Sequence, residues 1–208
     1  MDSVAHRYDG DFVLEDVSLQ ITPGSTLAIT GPSGSGKTTL LSIIGGLLDP
    51  TRGTVTIDGR RVKDSDMSTT FAWVFQTTNL LPRRSVKDNV AFGRLQHGDR
   101  RRSADAAAVE ALGAVGLEDK VDRPAYSLSG GETQRVGIAR AVASGAPWIL
   151  ADEPTGQLDR RTSDEIADLL VDARRSDQAV IIATHDLVLA RRCDSRLRIE
   201  NGRLMEDR

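Results

Sequence analysis

The chain has one cysteine, Cys193, in 208 residues. One thiol builds neither an internal disulfide framework nor a zinc site, so a reducing compartment is expected. No apolar run approaches the roughly 20 residues that cross a bilayer. Any contact with a membrane is therefore expected to come through a partner. The opening residues, Met1-Asp2-Ser3-Val4, lack the basic-then-apolar layout of a secretion signal. Excess positive charge is missing too: the formal net charge is -3 and the pI about 5.7. Domains that coat nucleic acid are usually clearly basic, so no nucleic-acid partner is expected. Lysine is scarce, with only Lys37, Lys63, Lys87 and Lys120, which makes Lys37 conspicuous. There is no internal repeat and no low-complexity tract.

What remains is an ordinary globular balance, 39% hydrophobic and 27% charged residues. The length suits one sizeable core. Phe12 to Ile21 reads as a strand and Pro23-Gly24 as a turn. Thr26 to Thr30 is a short apolar run that meets a glycine-rich loop, and Thr38 to Leu48 follows with helical spacing. Thr54 to Ile57 alternates as a strand closed by Asp58-Gly59, and Phe71 to Phe75 is another strand. Helices are predicted over Ser103 to Val115, with Ser103 as N-cap and Gly116 as stop, and over Gly130 to Ser144. Trp148 to Ala151 and Val180 to Thr184 have the continuous apolar character of buried parallel strands. Asp164 to Arg174 is a helix between them. Leu197 to Met205 reads as two strands turning at Asn201-Gly202. Alternating strands and helices predict an α/β fold with a mostly parallel sheet. The stretch 77–143 has few strand-like runs and is expected to be a helical insertion between two halves of the sheet.

Three groups of residues carry chemistry. Gly31-Pro-Ser33-Gly34-Ser35-Gly36-Lys37-Thr38 matches the G-x-x-x-x-G-K-[S/T] phosphate loop. Its glycines let backbone N–H groups face phosphates, and the helix that follows adds its positive end. Lys37 is placed to reach β- and γ-phosphates, and the Thr38 hydroxyl to ligate Mg²⁺. Ser129-Gly130-Gly131 opens the longest clear helix and offers free N–H groups and a hydroxyl to an anion. Taken alone, it is equally a glycine turn capped by Ser129. Trp148 to Ala151 ends in two acids, Asp152 and Glu153. Adjacent strand residues point to opposite sides, so Asp152 is expected to face a metal and Glu153 a water.

Leu128-Ser-Gly-Gly-Glu-Thr-Gln-Arg135 resembles the signature motif of ABC ATPases, and Gly31 to Thr38 in the same chain makes the resemblance strong. The resemblance covers essentially the whole chain. It implies a P-loop NTPase (RecA-like) core with a mostly parallel sheet, a small antiparallel β subdomain and an inserted helical subdomain. The cassette would occupy 1–208, with its core at about 1–76 and 144–208 and the helical part at about 77–143. It implies ATP and Mg²⁺ as cofactors, and a head-to-tail dimer with a second copy or a paralogue. The signature of one subunit would close over the γ-phosphate held by the other. Implied nucleotide contacts are Tyr8 on the adenine, Gly31, Ser33, Gly34, Ser35, Gly36, Lys37, Thr38 and Thr39 in the loop, and Ser129, Gly130 and Gly131 in the signature. Asp159, in Gly156-Gln-Leu-Asp159, would couple the two sites. Thr38, Gln76 and Asp152 would hold the metal. Glu153 would be the general base, with Gln76 and His185 placing the water and Lys37 neutralising charge.

Ala151 to Asp159, with Val74 to Pro82, looks like the branch of lipoprotein-release and macrolide-efflux exporters. Gln157 stands where that branch usually has Asn. The segment Gly59 to Phe71 is shorter than usual there and nearer to some compact importer subunits, so transport direction stays open. The resemblance further implies a transmembrane permease docking near Thr77–Phe92, through Leu80, Leu81, Val86 and Phe92, with the chain peripheral on the cytoplasmic face of the cell membrane. Ordinary helical-subdomain packing is the alternative for that segment. Arg100-Arg101-Arg102 reads as a solvated charge run, and no C-terminal regulatory domain is expected after Met205. An ABC ATPase that transmits force without transport, or a soluble one acting on DNA or ribosomes, are the competing functions. The soluble reading is disfavoured by the lack of a coiled-coil insertion or a second cassette.

Overall fold

The computed structural model describes residues 1–62, 67–156, 158–172 and 177–207. The chain opens with a hairpin, β1 (Asp2–Tyr8) and β2 (Asp11–Val17), which turns at Asp9 and Gly10, both at positive φ. β3 (Thr26–Thr30) leads through the glycine loop into α1 (Lys37–Ile44). Three short strands follow, β4 (Arg52–Thr54), β5 (Thr56–Ile57) and β6 (Arg60–Arg61), then α2 (Met67–Thr70) and β7 (Phe71–Phe75). A helical stretch contains α3 (Val86–Gln96), α4 (Arg101–Ala114) and α5 (Gly130–Ala143). The order closes with β8 (Trp148–Asp152), α6 (Arg160–Asp172), β9 (Ala179–Ala183), α7 (Leu187–Ala190), β10 (Ser195–Glu200) and β11 (Arg203–Glu206).

The main sheet runs β11-β10-β3-β9-β8-β7, parallel except for β11. β3 and β9 are buried along their whole length. Alternate residues of these strands feed two apolar clusters, as strand geometry requires. Leu27, Ile29, Leu150 and Ile181 face α1 through Leu40, Leu41 and Ile43, and the hairpin through Val4, Leu14 and Val17. Val74, Ile149, Val180 and Ile182 face the other way, onto Val86, Val90, Leu112, Ile138, Val142, Ile166 and Leu170 from α3 to α6. Each such side chain stabilises the fold by about 1.5–3 kcal/mol relative to exposure. The helices between β7 and β8 thus share a core with the sheet. A second sheet, β2-β1-β4, is antiparallel, as is the β5-β6 pair. No helix of the described residues is long and apolar enough to cross a membrane.

Several boundaries differ from the sequence reading. β1 was not legible, because its buried residues Val4, Ala5 and His6 are consecutive rather than alternating. β2 stops at Val17, after Asp16 takes a left-handed φ of 49°. α1 stops at Ile44. A Cβ at the capping Gly45 would lie 2.4 Å from Trp73 and 2.5 Å from Leu150, and Gly46 turns at φ 66°. Thr54 to Ile57 is two strands, the first paired with β1 and the second with β6. α4 begins at Arg101 with Arg100 as its cap, so Ser103 lies in the first turn. Arg101 is no free charge: it pairs with Asp88 of α3 and with Asp105 one turn on. α6 begins at Arg160, and residues 173–174 of the helix expected there lie outside the described residues, as do Lys63 and Gln157.

Candidate active site

Strand register sets the site. Ile29 pairs with Ala183, Ala183 with Asp152, and Asp152 with Phe75. The loops that leave these tips carry Gly31–Gly36, His185, Glu153 and Gln76, at the carboxyl edge where open α/β sheets bind ligands.

The phosphate loop needs its glycines. A Cβ at Gly31 (φ 148°) would meet Ile199 O at 2.7 Å, and one at Gly36 (φ 100°) would meet Val13 and Leu14 at 3.1 Å. Gly36 caps α1 without a side-chain bond, which leaves the first helical N–H groups directed out of the helix start. They border a cavity of about 240 Å³ lined by Val13, Ser33, Gly34, Gly36, Lys37, Thr38, Thr39 and Glu153. Ser35 is different: its hydroxyl is buried toward Gly31 and finds no hydrogen-bond partner. A larger cavity of about 420 Å³ lies by the starts of β7 and β8, at Phe71 and Trp148, the opposite end of those strands. It holds none of the acids or loop residues above.

Lys37 is 7% exposed and donates to Gly31 O at 2.9 Å and Pro32 O at 3.1 Å. Its Nζ also lies 3.4 Å from Glu153 Oε1. The other carboxylate oxygen, Oε2, is 2.8 Å from His185 Nδ1 and accepts from the His185 N–H at 3.3 Å and the Thr184 hydroxyl at 3.4 Å. Glu153 is not held by strand alternation, as the sequence suggested. It lies one residue beyond β8 at φ 45°, with its N–H bonded to Ala183 O at 2.8 Å. A non-glycine residue held at positive φ stores some backbone strain.

Asp152 accepts from the Thr38 hydroxyl at 3.1 Å. Burial pushes its carboxyl above the ordinary value and Glu153 adds to this, while Thr38 and Lys37 oppose it. A cation beside Asp152 would offset that destabilised anion. No group of three or more His, Cys, Asp or Glu able to hold a metal is found among the described residues. One carboxylate and one hydroxyl instead fit a hard cation that completes its shell with water and phosphate oxygens. Gln76 is exposed just past β7, and its Nε2 lies 2.7 Å from where a Cβ on Gly156 would stand.

The signature residues lie at the start of α5, where Ser129 and Glu132 form a capping box. Ser129 Oγ accepts from Glu132 N–H at 3.3 Å, and Glu132 accepts from Ser129 N–H at 2.8 Å. The cap leaves the hydroxyl proton of Ser129 free to donate to an anion, so capping and anion binding are compatible. Lys120 hydrogen-bonds Glu132 and, with the Ser129 backbone, holds its carboxyl down to about 2. Asp159 accepts from Thr162 N–H at 3.1 Å and its hydroxyl at 2.7 Å, which lowers its carboxyl below the usual range and starts α6. Tyr8 ends β1 half exposed, edge-on to His6 at 4.7 Å. Of the hairpin, Val13 lines the cavity and Tyr8 does not.

Of the residues expected to dock a permease, Leu81 and Phe92 are exposed, whereas Val86 is fully buried and belongs to the core. The sequence reading missed Val13, Thr162, Gln134 and Asp186. Asp186 caps α7 by accepting from Val188 N–H at 2.8 Å. Only its place after Thr184-His185 hinted at that role.

A strand, a phosphate loop and a helix, with paired acids at the tip of the strand two places along the sheet, define a P-loop nucleotide hydrolase. The chain belongs to the ABC transporter family, whose description matches residues 14–156, and is one of its ATP-hydrolysing cassettes. It is 44% identical to the lipoprotein-releasing system ATP-binding protein LolD 1 of Caulobacter vibrioides, over 98% of this chain and 92% of that protein. It is 41% identical to the macrolide export ATP-binding/permease protein MacB of Salmonella paratyphi A, over 94% of this chain but 31% of that one. Among solved structures, the dimeric cassette MJ0796 in a post-hydrolysis state bound to ADP and Pi superposes with a TM-score of 0.84 at 33% identity. That match covers 100% of this chain and 97% of the other.

Proposed function

We propose that this cassette is the ATP-driven motor of an exporter, closing as a dimer on a separate transmembrane permease at the cytoplasmic face of the membrane. The observation that carries the ATP-hydrolysing part of this reading is Glu153, held between Lys37 and His185 at the edge of the phosphate-loop cavity. A carboxylate so placed accepts a proton from water attacking the γ-phosphate, with His185 keeping its orientation. Lys37 shifts from loop carbonyls to phosphate oxygens when nucleotide enters. Thr38, Asp152 and Gln76 would hold Mg²⁺, which would supply charge neutralisation on the phosphates. The loop residues Ser33, Gly34, Ser35, Gly36 and Thr39 and the aromatic Tyr8 bind ATP from one subunit. Ser129, Gly130 and Gly131 reach it from the other, with Asp159 at the seam.

The MJ0796 dimer supports the paired arrangement, and the likeness to a lipoprotein-releasing ATP-binding protein supports export. The exposed Leu81 and Phe92 are the permease-facing residues, carried by the helical stretch 77–143. The test is to purify tagged Glu153→Gln with ATP and Mg²⁺ from native membranes and identify what accompanies it. A stoichiometric polytopic membrane protein with few spans and a large external domain supports export. A permease bundle with a solute-binding protein would reverse the direction, and ribosomal or DNA-bound proteins would end the transporter reading.

A further inference from the structure

The helix that begins with the signature also grips the loop that carries Gln76. Three residues of α5, spaced by three along one side, run beside 75–79. Gln134 is buried, with 4% of the residue exposed. Its Nε2 donates to Phe75 O at 3.1 Å, and its Oε1 accepts from the Thr78 hydroxyl at 2.8 Å. One turn on, Gly137 leaves room for Thr78: a Cβ there would stand 2.7 Å from Thr78 Oγ1 and 2.9 Å from its Cγ2. At the next step Arg140 Nη1 donates to Asn79 O at 3.0 Å.

We infer that Gln134 is a positioning residue: its buried amide, bonded to the carbonyl before Gln76 and the hydroxyl two residues after it, fixes where Gln76 stands at the metal. A buried amide is costly unless both of its ends are bonded. Both ends here go to one short loop rather than to scattered neighbours. Gln76 itself is exposed and close-packed against Gly156. The bonds on either side of it fix the backbone from which its side chain projects. The signature and the Gln76 loop are consequently attached to the same rigid helix. The inference rests on the proposed role of Gln76.

Gln134→Leu keeps the volume and removes both bonds, and Thr78→Val removes one of them. Both are expected to raise the Mg²⁺ concentration for half-maximal ATPase by about tenfold, the usual scale for groups that orient a metal ligand. The gain in ATP affinity on adding Mg²⁺, measured by displacement of a fluorescent ATP analogue, should shrink by a similar factor. ATP affinity in EDTA should stay unchanged. Thr78→Ser keeps the hydroxyl and should restore the Mg²⁺ dependence. If Gln134→Leu and Thr78→Val lower the melting temperature yet keep the wild-type Mg²⁺ requirement, the amide is only structural and the inference is overturned. Should Gln134→Leu fail to fold, Thr78→Val decides alone. Gln76→Ala separates the two levels. If it leaves the Mg²⁺ requirement unchanged, the Gln76 role falls and this inference with it. If it raises the requirement while Gln134→Leu does not, only the positioning role falls.

Discussion

The methyl of Thr162 closes on Gly131 so tightly that a Cβ at Gly131 would lie 2.7 Å from Thr162 Cγ2. The Thr162 hydroxyl is meanwhile held by Asp159 at 2.7 Å. The second signature glycine is thus small because the start of another helix stands against it. Gly131→Ala is expected to displace one helix start from the other and lower ATPase by about tenfold, as small misplacements of phosphate contacts do. Thr162→Ser in that background removes the methyl, keeps the hydroxyl for Asp159 and should recover most of the rate. Steady-state ATPase of the single and double variants checks this. A double variant no faster than Gly131→Ala would rule out the contact as the cause.

Glu153→Gln keeps the shape of the side chain and removes its basicity. The phosphate loop and Lys37 stay in place, so ATP binding should persist while turnover falls by about 10²–10⁴. Nucleotide binding and phosphate release, measured on the same preparation, check both halves. Turnover near the wild-type rate would remove Glu153 from the role of general base.

Gly36→Ala puts a side chain at φ 100°, 3.1 Å from Val13 and Leu14. Strain of this kind costs about 1–3 kcal/mol. The variant should melt lower and bind ATP more weakly, because α1 must turn to relieve the contact. Thermal melts with and without ATP test it, and an unchanged melting temperature would count against the strain.

Lys120 and the Ser129 backbone hold the Glu132 carboxyl at about 2, below its ordinary 4.5. A depressed acid stabilises the fold fully above its ordinary value, and the contribution fades as pH falls toward the folded value. Glu132→Gln can still accept from Ser129 N–H but loses the charge facing Lys120. The stability gap between wild type and this variant should be constant from neutral pH down to about 4.5 and narrow from there toward about 2. Urea unfolding across that range measures it. A gap that stays level or widens in acid would show that the pair is not its source.

The parts of the site that were legible are those written as unbroken runs. Gly31 to Thr38 announces its strand–loop–helix context by composition, and Ser129 before Gly130-Gly131 is readable as the cap of a helix start. The rest depends on neighbours distant in sequence. Glu153 is aimed by a left-handed residue and an N–H bonded to Ala183, not by the alternation that an apolar run suggests. Gln134 sits inside the octapeptide without a legible role of its own, because its partners Phe75 and Thr78 lie more than fifty residues away. β1 was missed because its burial follows the hairpin rather than a period of two. Ser103 was an attractive cap, but the ion pairs of Arg101 with Asp88 and Asp105 accompany an earlier start.

The shared register of Ile29, Ala183, Asp152 and Phe75 ties the spacing of the catalytic groups to the lengths of four strands. Within those strands many apolar residues are interchangeable, since burial is what is asked of them. A single inserted or deleted residue is another matter. It would move everything beyond it by about 3.3 Å and turn it to the opposite face, carrying Glu153 away from Lys37 and His185. An insertion or deletion is therefore expected to be tolerated only in the loops at the opposite end of the sheet, while the four strands should accept exchange of residues but not a change in their number.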